Sequence, residues 1–411
     1  MSICLRAMFE SEAHRARSLA NPESAAVPRS SDPTRALLGP LEHLVRTQAR
    51  DGSWHGDYGG PMFLLPLYVA TCRIAGVELG HDSSSEMLRY VRTHQNQDGG
   101  FGLHVEASSS VFPTALNYVA ARLLGEAASA EWLTRARNWL HEHGGPVRSA
   151  SWGKYFLALL NLYDYRGLNP VLPELWLLPE ASPVHPSRLW CHCRMVYLPL
   201  SYLYARRASM PENDTVRALR SELYPGGYAH VDWEEARDSA GPSDRATPHS
   251  ALLDLSMQVL LVFERKMPTR LRRRALRFVL EQIRYEDENT DYICIGPINK
   301  LLHTLVWHFE RPGDVESRRH VERLADYLYQ AADGLKLNGY NNSRLWDTAF
   351  AVQALVAADD TGRTHTTLSG AFQYLEQHQV LEDVADRERC YRHRSRGGWP
   401  FSDRAHGWPI S

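Results

Sequence analysis

The sequence predicts an all-α protein, and three observations lead to that prediction. Apolar residues recur at spacings of three and four from about residue 36 onward, with Gly or Pro between the periodic segments. No clear set of segments alternates apolar and polar residues, as half-buried strands do. A pattern of Gln-x-x-Asp-Gly-small-aromatic also occurs twice, at 48–54 and 95–101, which is typical of stacked helix pairs.

Helices are predicted wherever the helical period of apolar residues is clear. These segments are 62–75, 84–95, 112–125, 130–143, 153–164, 190–207, 249–264, 269–284, 298–310, 318–332, 346–358 and 367–378. Residues 1–35 are expected to form a disordered tail, because 18–33 is rich in Ser, Ala, Pro and Arg and lacks apolar periodicity.

The composition excludes some classes of partner. The 411 residues include 46 Lys plus Arg and 48 Asp plus Glu, a net charge of −2, so no nucleic-acid partner is expected. No run approaches the roughly 18 apolar residues of a membrane-spanning helix, and charged residues occupy the N-terminus where a signal peptide would be apolar. Binding to the surface of a membrane stays open, because it needs only an exposed apolar face.

The repeated pattern has a physical interpretation. Asp-Gly forms a tight turn after a helix, since Gly accepts a positive φ angle. The Gln amide is then free to bond backbone groups at the end of a neighbouring helix, and the aromatic ring packs over the turn. Partial copies are found at 338–346 and 396–399. Turns of this kind tie adjacent helices together in an α-barrel or solenoid.

With these repeats, the chain resembles the terpene cyclase/mutase family, and within it the oxidosqualene cyclases. Its repeats are similar to the QW motifs of that family, and the similarity runs from about Leu41 to Ser411. The stretch Trp190–Arg194 indicates the oxidosqualene branch rather than the squalene–hopene branch. The other similar segments are 56–61, 114–119, 151–154, 247–250, 295–297 and 346–350.

The resemblance implies a squalene cyclase-like toroid of two α/α barrels. Residues 36–315 would form the inserted barrel, and 316–411 would form an incomplete first part of the catalytic barrel. The active cavity is expected between the barrels. A hydrophobic surface would attach the protein peripherally to the cytoplasmic face of a membrane.

The implied function is a triterpene cyclase of sterol biosynthesis, an isomerase that cyclises 2,3-oxidosqualene or a related triterpene through a carbocation cascade without a cofactor. Carbocations need a dry cavity lined by aromatic faces, which attract cations and offer no nucleophile. In the family, the segment with the proton-donating Asp would follow 407–411 directly. We therefore expect this chain to be inactive alone, with a C-terminal cyclase half in trans as a further partner.

The resemblance also assigns roles to individual residues. His192 matches the histidine near the late cation and the final deprotonation. Cys193 and Tyr197 match the constriction through which substrate enters. The positions that match cavity-lining residues are Tyr58, Trp152, Trp190, Val196, Ile295, Trp346 and Phe401, of which Val196 and Ile295 are apolar wall positions.

Metal binding is not expected. Cys191 and Cys193 lack the spacing and the second ligand pair of a structural zinc site, and the Asp-Asp-x-x-Asp motif that binds magnesium is absent from the sequence. A basic run at 265–277 is interpreted as a charged helix face, with Leu271, Leu276, Val279 and Leu280 inward; contact with membrane phosphates is the alternative.

Two other functions compete with the cyclase. The first is a non-catalytic triterpene- or sterol-binding barrel, or a remnant of the enzyme. The second is an α/α barrel of another chemistry, such as a glycoside hydrolase. That class needs two carboxylates about 5–10 Å apart in a polar cleft, and the matched motifs do not supply such a pair.

Overall fold

The computed structural model describes residues 33–245, 251–359 and 362–403. Most of these residues lie in helices, so the predicted all-α fold class is confirmed. Among the described residues, no helix combines the length and the apolar character needed to cross a membrane. The similar segments at 247–250 and 407–411, and most of the predicted tail, lie outside the described residues.

The chain divides into two compact units. Unit 1 takes its residues from the chain up to Gly59, from Asn289–Asp291 and from Asp326 onward; unit 2 comprises Gly60–Glu288 and Tyr292–Ala325. Unit 2 therefore interrupts unit 1 along the sequence, as an inserted domain does. The predicted domain boundaries at 35/36 and 315/316 stay predictions.

Unit 2 consists mainly of helices. They are α2 Leu64–Ala75, α3 His81–Thr93, α4 Val111–Leu123, α5 Glu131–Glu142, α6 Ser151–Leu159, α7 Cys191–Arg206, α8 Asp214–Leu223, α9 Trp233–Ala236, α10 Ala251–Lys266, α11 Thr269–Asn289, α12 Pro297–Glu310 and α13 Val315–Glu322, with strands β1 Phe101–Gly102 and β2 Ser109–Ser110. Short 3-10 helices occupy Pro146–Arg148, Tyr165–Gly167, Pro173–Leu177, Pro186–Arg188, Tyr228–His230 and Pro242–Asp244.

The helices of unit 2 are of two kinds. Helices α2, α4 and α12 are buried on nearly all sides, whereas α3, α5 and α8 bury only one apolar stripe. Helix α12 packs against α2, α7 and α13, and α4 packs against α2, α5 and α6. An apolar stripe suits a helix at the surface, and a helix that is apolar all round must be interior. The core therefore lies around α2, α4 and α12.

Unit 1 is smaller and contains α1 Pro33–Thr47, β3 Leu328–Ala331, β4 Gly334–Leu337, α14 Arg344–Ala358 and α15 His365–Gln377. Helix α14 packs against α1 and α15. Trp54, Ala351, Leu355 and Ala371 form a buried cluster among these helices. A further 3-10 helix, Leu324–Tyr327, spans the boundary with unit 2.

The helix predicted over 318–332 is wrong in its second half. Helix α13 ends at Glu322, and β3 pairs antiparallel with β4, Leu328 facing Leu337. Leu324, Tyr327, Leu328 and Ala331 follow the spacing of a helical face, which explains the error. The stronger signal was Asp333-Gly334, a pair typical of hairpin turns, and Gly334 has a φ angle of +136°.

The two Gln-x-x-Asp-Gly turns have the same hydrogen bonds. In unit 1 the Gln48 amide donates to the carbonyls of Gly52 at 2.9 Å and of Thr367, in the first turn of α15, at 2.8 Å. In unit 2 the Gln95 amide donates to Gly99 at 2.8 Å and to Trp132, in the first turn of α5, at 2.7 Å. Each turn thus joins one helix end to the start of another.

A third turn of this kind is interrupted by an insertion. Gln379 donates to the Gly397 carbonyl at 2.9 Å, and the Trp399 indole donates to Leu375, four residues before the glutamine, at 2.8 Å. Trp54 makes the equivalent bond to Leu44 at 2.9 Å. Only the Gly-Gly-Trp part is recognisable in the sequence, because the inserted residues separate it from its glutamine.

Candidate functional site

Three of the predicted cavity residues form one aromatic cluster in unit 1. The ring centroid of Phe401 lies 5.1 Å from that of Trp346, in a stacked arrangement, and 5.0 Å from that of Tyr58. Trp346 is 39% exposed and Tyr58 is 43% exposed, whereas Phe401 is buried. The exposed rings of Trp346 and Tyr58 therefore pack on the buried ring of Phe401. Exposed aromatic rings of this kind attract cations.

Tyr340 is a fourth member of this cluster and was not among the predicted site residues. Its ring stacks on Phe401 with a centroid distance of 4.2 Å and an interplanar angle of 22°. Tyr340 lies in the loop between β4 and α14, where no periodicity marks it. We call Tyr58, Tyr340, Trp346 and Phe401 the aromatic face.

Backbone hydrogen bonds hold the aromatic face together. The Trp346 amide, in the first turn of α14, donates to the Phe401 carbonyl at 3.2 Å, and the Gly339 amide donates to the Tyr58 carbonyl at 2.9 Å. A Cβ atom at Gly339 would lie 2.7 Å from Cε1 of Tyr58, so a larger residue there would displace the Tyr58 ring. The rings are thus fixed by the main chain that carries them.

Buried polar groups fix the segment that leads to Tyr58. Lys336 of β4 is buried, and its Nζ lies 2.6 Å from Asp57 and 3.1 Å from Asp333, so its charge is compensated. Asp347 accepts hydrogen bonds from the Gly56 amide at 2.7 Å and from the Ser343 hydroxyl at 2.5 Å. These contacts fix the two residues that precede Tyr58.

Trp190 and His192 lie together in unit 2, at the start of α7. Their ring centroids are 4.4 Å apart, and Trp190 is 64% exposed. Burial lowers the pKa of His192, so the imidazole is neutral at pH 7. A neutral imidazole is able to accept a proton. The Cys191 thiol lies 3.3 Å from His192 Nδ1, and Cys193 is exposed.

The remaining predicted residues on α7 lie one turn further along. Val196 and Tyr197 are half-buried. The Tyr197 hydroxyl donates to the Leu172 carbonyl at 2.8 Å, and burial raises the pKa of the phenol. The first two turns of α7 therefore carry four of the predicted residues: His192, Cys193, Val196 and Tyr197.

Ile295 and Trp152 lie on other segments of unit 2. Ile295 is buried just before α12, and its amide donates to Oδ1 of Asn299 at 3.2 Å. Trp152 is exposed in the first turn of α6. Ala150 immediately precedes α6, and its amide donates a hydrogen bond to the Asp244 carboxylate at 2.8 Å. This bond fixes the start of α6.

One buried group of residues has the composition of a metal site. Ligand atoms of Asp287, Cys294 and His320 lie within 4.8 Å of one another. Asp287, however, already accepts hydrogen bonds from His303 and from the Trp307 indole, both at 2.7 Å. The positively charged Lys300 lies 3.0 Å from His320 Nδ1, where it would repel a cation. The group is better described as part of a buried hydrogen-bonded network.

The basic run is only partly a free surface. Arg272 is half-buried and pairs with Glu264 at 2.5 Å, and it also bonds Glu174. Of the residues expected to face inward, Val279 is buried, but Leu271 is 39% exposed. Arg270, Arg273, Arg274 and Arg277 are exposed.

Known proteins match this chain over nearly all of its length. A cycloartenol synthase of Dictyostelium discoideum is 44% identical over 393 residues, which are 95% of this chain and 56% of that protein. A lanosterol synthase of Mus musculus is 45% identical over 388 residues, 94% of this chain and 53% of that protein. The chain thus spans about half the length of these curated relatives.

A lanosterol synthase of Pneumocystis carinii is 38% identical over 397 residues, 95% of this chain and 54% of that protein. The family described as the squalene-hopene cyclase N-terminal domain matches residues 40–325. That range covers most of the chain, and it contains every predicted site residue except Trp346 and Phe401. The chain therefore belongs to the squalene-hopene cyclase N-terminal domain family, and the relatives it matches are oxidosqualene cyclases.

Proposed function

We propose that this chain is part of an oxidosqualene cyclase of sterol biosynthesis and supplies part of the wall of its cyclisation cavity. The substrate would be 2,3-oxidosqualene or a related triterpene. The observation that carries the proposal is the aromatic face, in which the exposed rings of Tyr58 and Trp346 are fixed on the buried ring of Phe401. Aromatic faces of this kind stabilise cationic carbon without reacting with it.

The α7 residues would contribute to the same chemistry. The Trp190 ring would face a late carbocation, and the neutral His192 imidazole beside it would accept or orient the proton that is finally lost. Cys193 and Tyr197 would line the route by which the substrate enters. No cofactor is needed in this proposal, because proton transfers and cation stabilisation complete the reaction.

The proton that starts the cascade would come from another part of the cyclase. The chain spans about half the length of its relatives, and the family resemblance places the acid in a segment that 407–411 would precede. We propose that this segment is supplied in the same polypeptide or by a C-terminal cyclase half in trans. The two α/α barrels, over 36–315 and from 316 onward, are part of this proposal.

Attachment to the cytoplasmic face of a membrane is also proposed. Leu255, Val259 and Val262 lie at four- and three-residue spacing along α10 and are 62%, 46% and 53% exposed, with the exposed Phe263 beside them. A row of exposed apolar side chains along a helix typically marks a docking surface. Val259→Lys should reduce sedimentation of the chain with phosphatidylcholine vesicles, whereas Val315→Lys, at an exposed valine on α13, should not. Equal sedimentation of both variants would contradict this attachment.

Ligand binding tests the proposal without turnover. The probe is N,N-dimethyldodecylamine, which is a cation at neutral pH, and its neutral counterpart is 1-dodecanol. Calorimetric titration should show the amine binding at least about threefold more tightly, since cation–π attraction is worth about 0.5–2 kcal/mol. Equal affinities, or binding of dodecanol alone, would contradict a cation-stabilising wall.

A further inference from the structure

Asn299 connects two wall segments of unit 2 through its side chain. It is the third residue of α12, and it is buried. Its Oδ1 accepts a hydrogen bond from the Ile295 amide at 3.2 Å, and its Nδ2 donates to the Met195 carbonyl of α7 at 2.6 Å. One amide group therefore contacts Ile295 itself and the residue before Val196.

The Met195 carbonyl needs this partner because of a proline. In an α-helix that carbonyl would accept the amide of the residue four positions later, which in α7 is Pro199. Proline has no N–H, so the carbonyl loses its helical hydrogen bond. Asn299 supplies the missing donor from α12. The Met195 carbonyl lies in the same two turns of α7 that carry the predicted site residues His192, Cys193, Val196 and Tyr197.

Asn299 also belongs to a chain of buried, hydrogen-bonded side chains. Asn299 Nδ2 lies 2.9 Å from His303 Nε2, and His303 Nδ1 lies 2.7 Å from Asp287. Lys300 donates to the carbonyls of Tyr292 at 2.9 Å and His320 at 2.8 Å. We call Asn299, His303, Asp287, Lys300 and His320 the Asn299 network; each of them is at most 1% exposed.

The Asn299 network also binds the strained segment that precedes Ile295 in the sequence. Tyr292 and Cys294 have φ angles of +61° and +66°, which residues with a Cβ seldom adopt. Such angles persist where surrounding contacts determine them. Here the Tyr292 amide donates to the Asp287 carbonyl at 2.8 Å, and Lys300 binds the Tyr292 carbonyl. Ile295 thus leaves this segment in one fixed orientation.

We propose that Asn299 is a positioning residue of the cyclisation cavity, which sets the wall positions Val196 and Ile295 relative to each other. It acts through backbone atoms and does not touch the substrate. The side chain must donate and accept at once, which an aspartate or a leucine cannot do and a serine is too short to do. This inference rests on the proposed function, because that function is what makes Val196 and Ile295 wall positions.

The first test measures local order in the full chain by amide hydrogen exchange. Asn299→Ser should accelerate exchange about tenfold or more at the amides of 195–198 and of Ile295, because two buried backbone groups lose their partners. The matched control is Asn117→Ser: Asn117 is also buried, and its amide also donates to a carbonyl of another segment, Met62, at 2.7 Å. The control should leave both sites unchanged.

Pro199→Ala separates positioning from a general loss of stability. It restores an N–H for the Met195 carbonyl. In the double variant with Asn299→Ser, exchange at the amides of 195–198 should therefore return toward the wild-type rate, whereas exchange at Ile295 should not. Should Asn299→Ser fail to fold, His303→Asn provides the test. It keeps both backbone bonds of Asn299 and should give a smaller acceleration at the same sites. Acceleration spread evenly over unit 2, or no recovery with Pro199→Ala, overturns the proposal.

Binding of N,N-dimethyldodecylamine then links position to function. Asn299→Ser should weaken binding about threefold or more, and Asn117→Ser should not, even where both lower the melting temperature equally. Equal weakening by the two variants overturns the proposal. If the wild-type chain does not bind the amine, the proposed function fails, and the exchange pattern alone decides whether Asn299 positions the two segments.

Discussion

The aromatic face of unit 1 and the Asn299 network of unit 2 hold proposed site residues in opposite ways. In the aromatic face, the rings that would meet a ligand are exposed, and the main chain fixes them. Beside the network, the proposed wall residue Ile295 is buried, and the Asn299 side chain fixes it. Changes in the network should therefore cost stability, and changes in the aromatic face should cost ligand affinity.

The largest effect is expected from Asp287→Ala in the network. It would leave the buried donors of His303 and Trp307 without an acceptor, which typically costs about 1–3 kcal/mol for each donor. Urea unfolding of the full chain measures the free energy of unfolding. The control, Asp82→Ala, removes a fully exposed carboxylate and should cost less than ~1 kcal/mol. Similar losses for both variants would remove the contrast between the two regions.

The repeated turn occurs in both units and allows a direct comparison between them. A Cβ atom at Gly52 would lie 2.2 Å from the Gly370 carbonyl oxygen, so Gly52→Ala should cost about 3 kcal/mol. At Gly99 the nearest atom is at 3.0 Å, and a smaller loss is expected. Gly125, with φ of +98° and open space around it, should lose only about 1 kcal/mol. A different order in thermal unfolding would contradict the turn geometry.

Acid should weaken unit 2 through His320. Burial lowers the pKa of His320 to about 4, and the nearby Lys300 adds to that shift, although Asp287 opposes it. Between pH 6.5 and 4 the unfolded chain binds a proton that the folded chain does not, so stability is full above pH 6.5 and falls by about 1.4 kcal/mol per pH unit below it. His320→Gln should reduce the slope of the unfolding free energy against pH. An unchanged slope would contradict a neutral buried imidazole.

The smallest effect on stability is expected from Trp346→Leu in the aromatic face. The side chain is 39% exposed, so the loss should stay below ~1 kcal/mol, while binding of N,N-dimethyldodecylamine should weaken about threefold. Phe372→Leu is the control, because Phe372 is an aromatic residue of unit 1 with 64% exposure. If both variants bind the amine equally well, the aromatic face is not the binding surface.

Periodicity predicted the interior helices well and the connections poorly. Segments 62–75, 112–125 and 298–310 differ from α2, α4 and α12 by at most two residues at either end, because long apolar runs leave little choice of structure. Helices α1, α8 and α9 were not among the predicted helices. The hairpin of β3 and β4 was missed, since its apolar residues match the spacing of a helix.

The candidate site was predicted only in part. Family resemblance supplied Tyr58, Trp346 and Phe401, and the structure brings these three rings together. Their assigned roles, like those of the residues on α7, stay predictions. The Asn299 network was not foreseen, because its members come from α11, α12 and α13 and meet only in three dimensions. The sequence contained one signal for this network. Pro199 lies inside a predicted helix, and it leaves the Met195 carbonyl without its helical hydrogen bond.

Turnover of 2,3-oxidosqualene tests the central claim most directly. The chain would be combined with the half of the Dictyostelium discoideum cycloartenol synthase that it does not match, and lipid products would be identified by gas chromatography and mass spectrometry. We expect a cyclised triterpene from this pair, less of it with Trp346→Leu, and none from either half alone. If the two halves of the relative form product together and this chain cannot replace the matching half, the assignment of a cyclisation wall to this chain is contradicted.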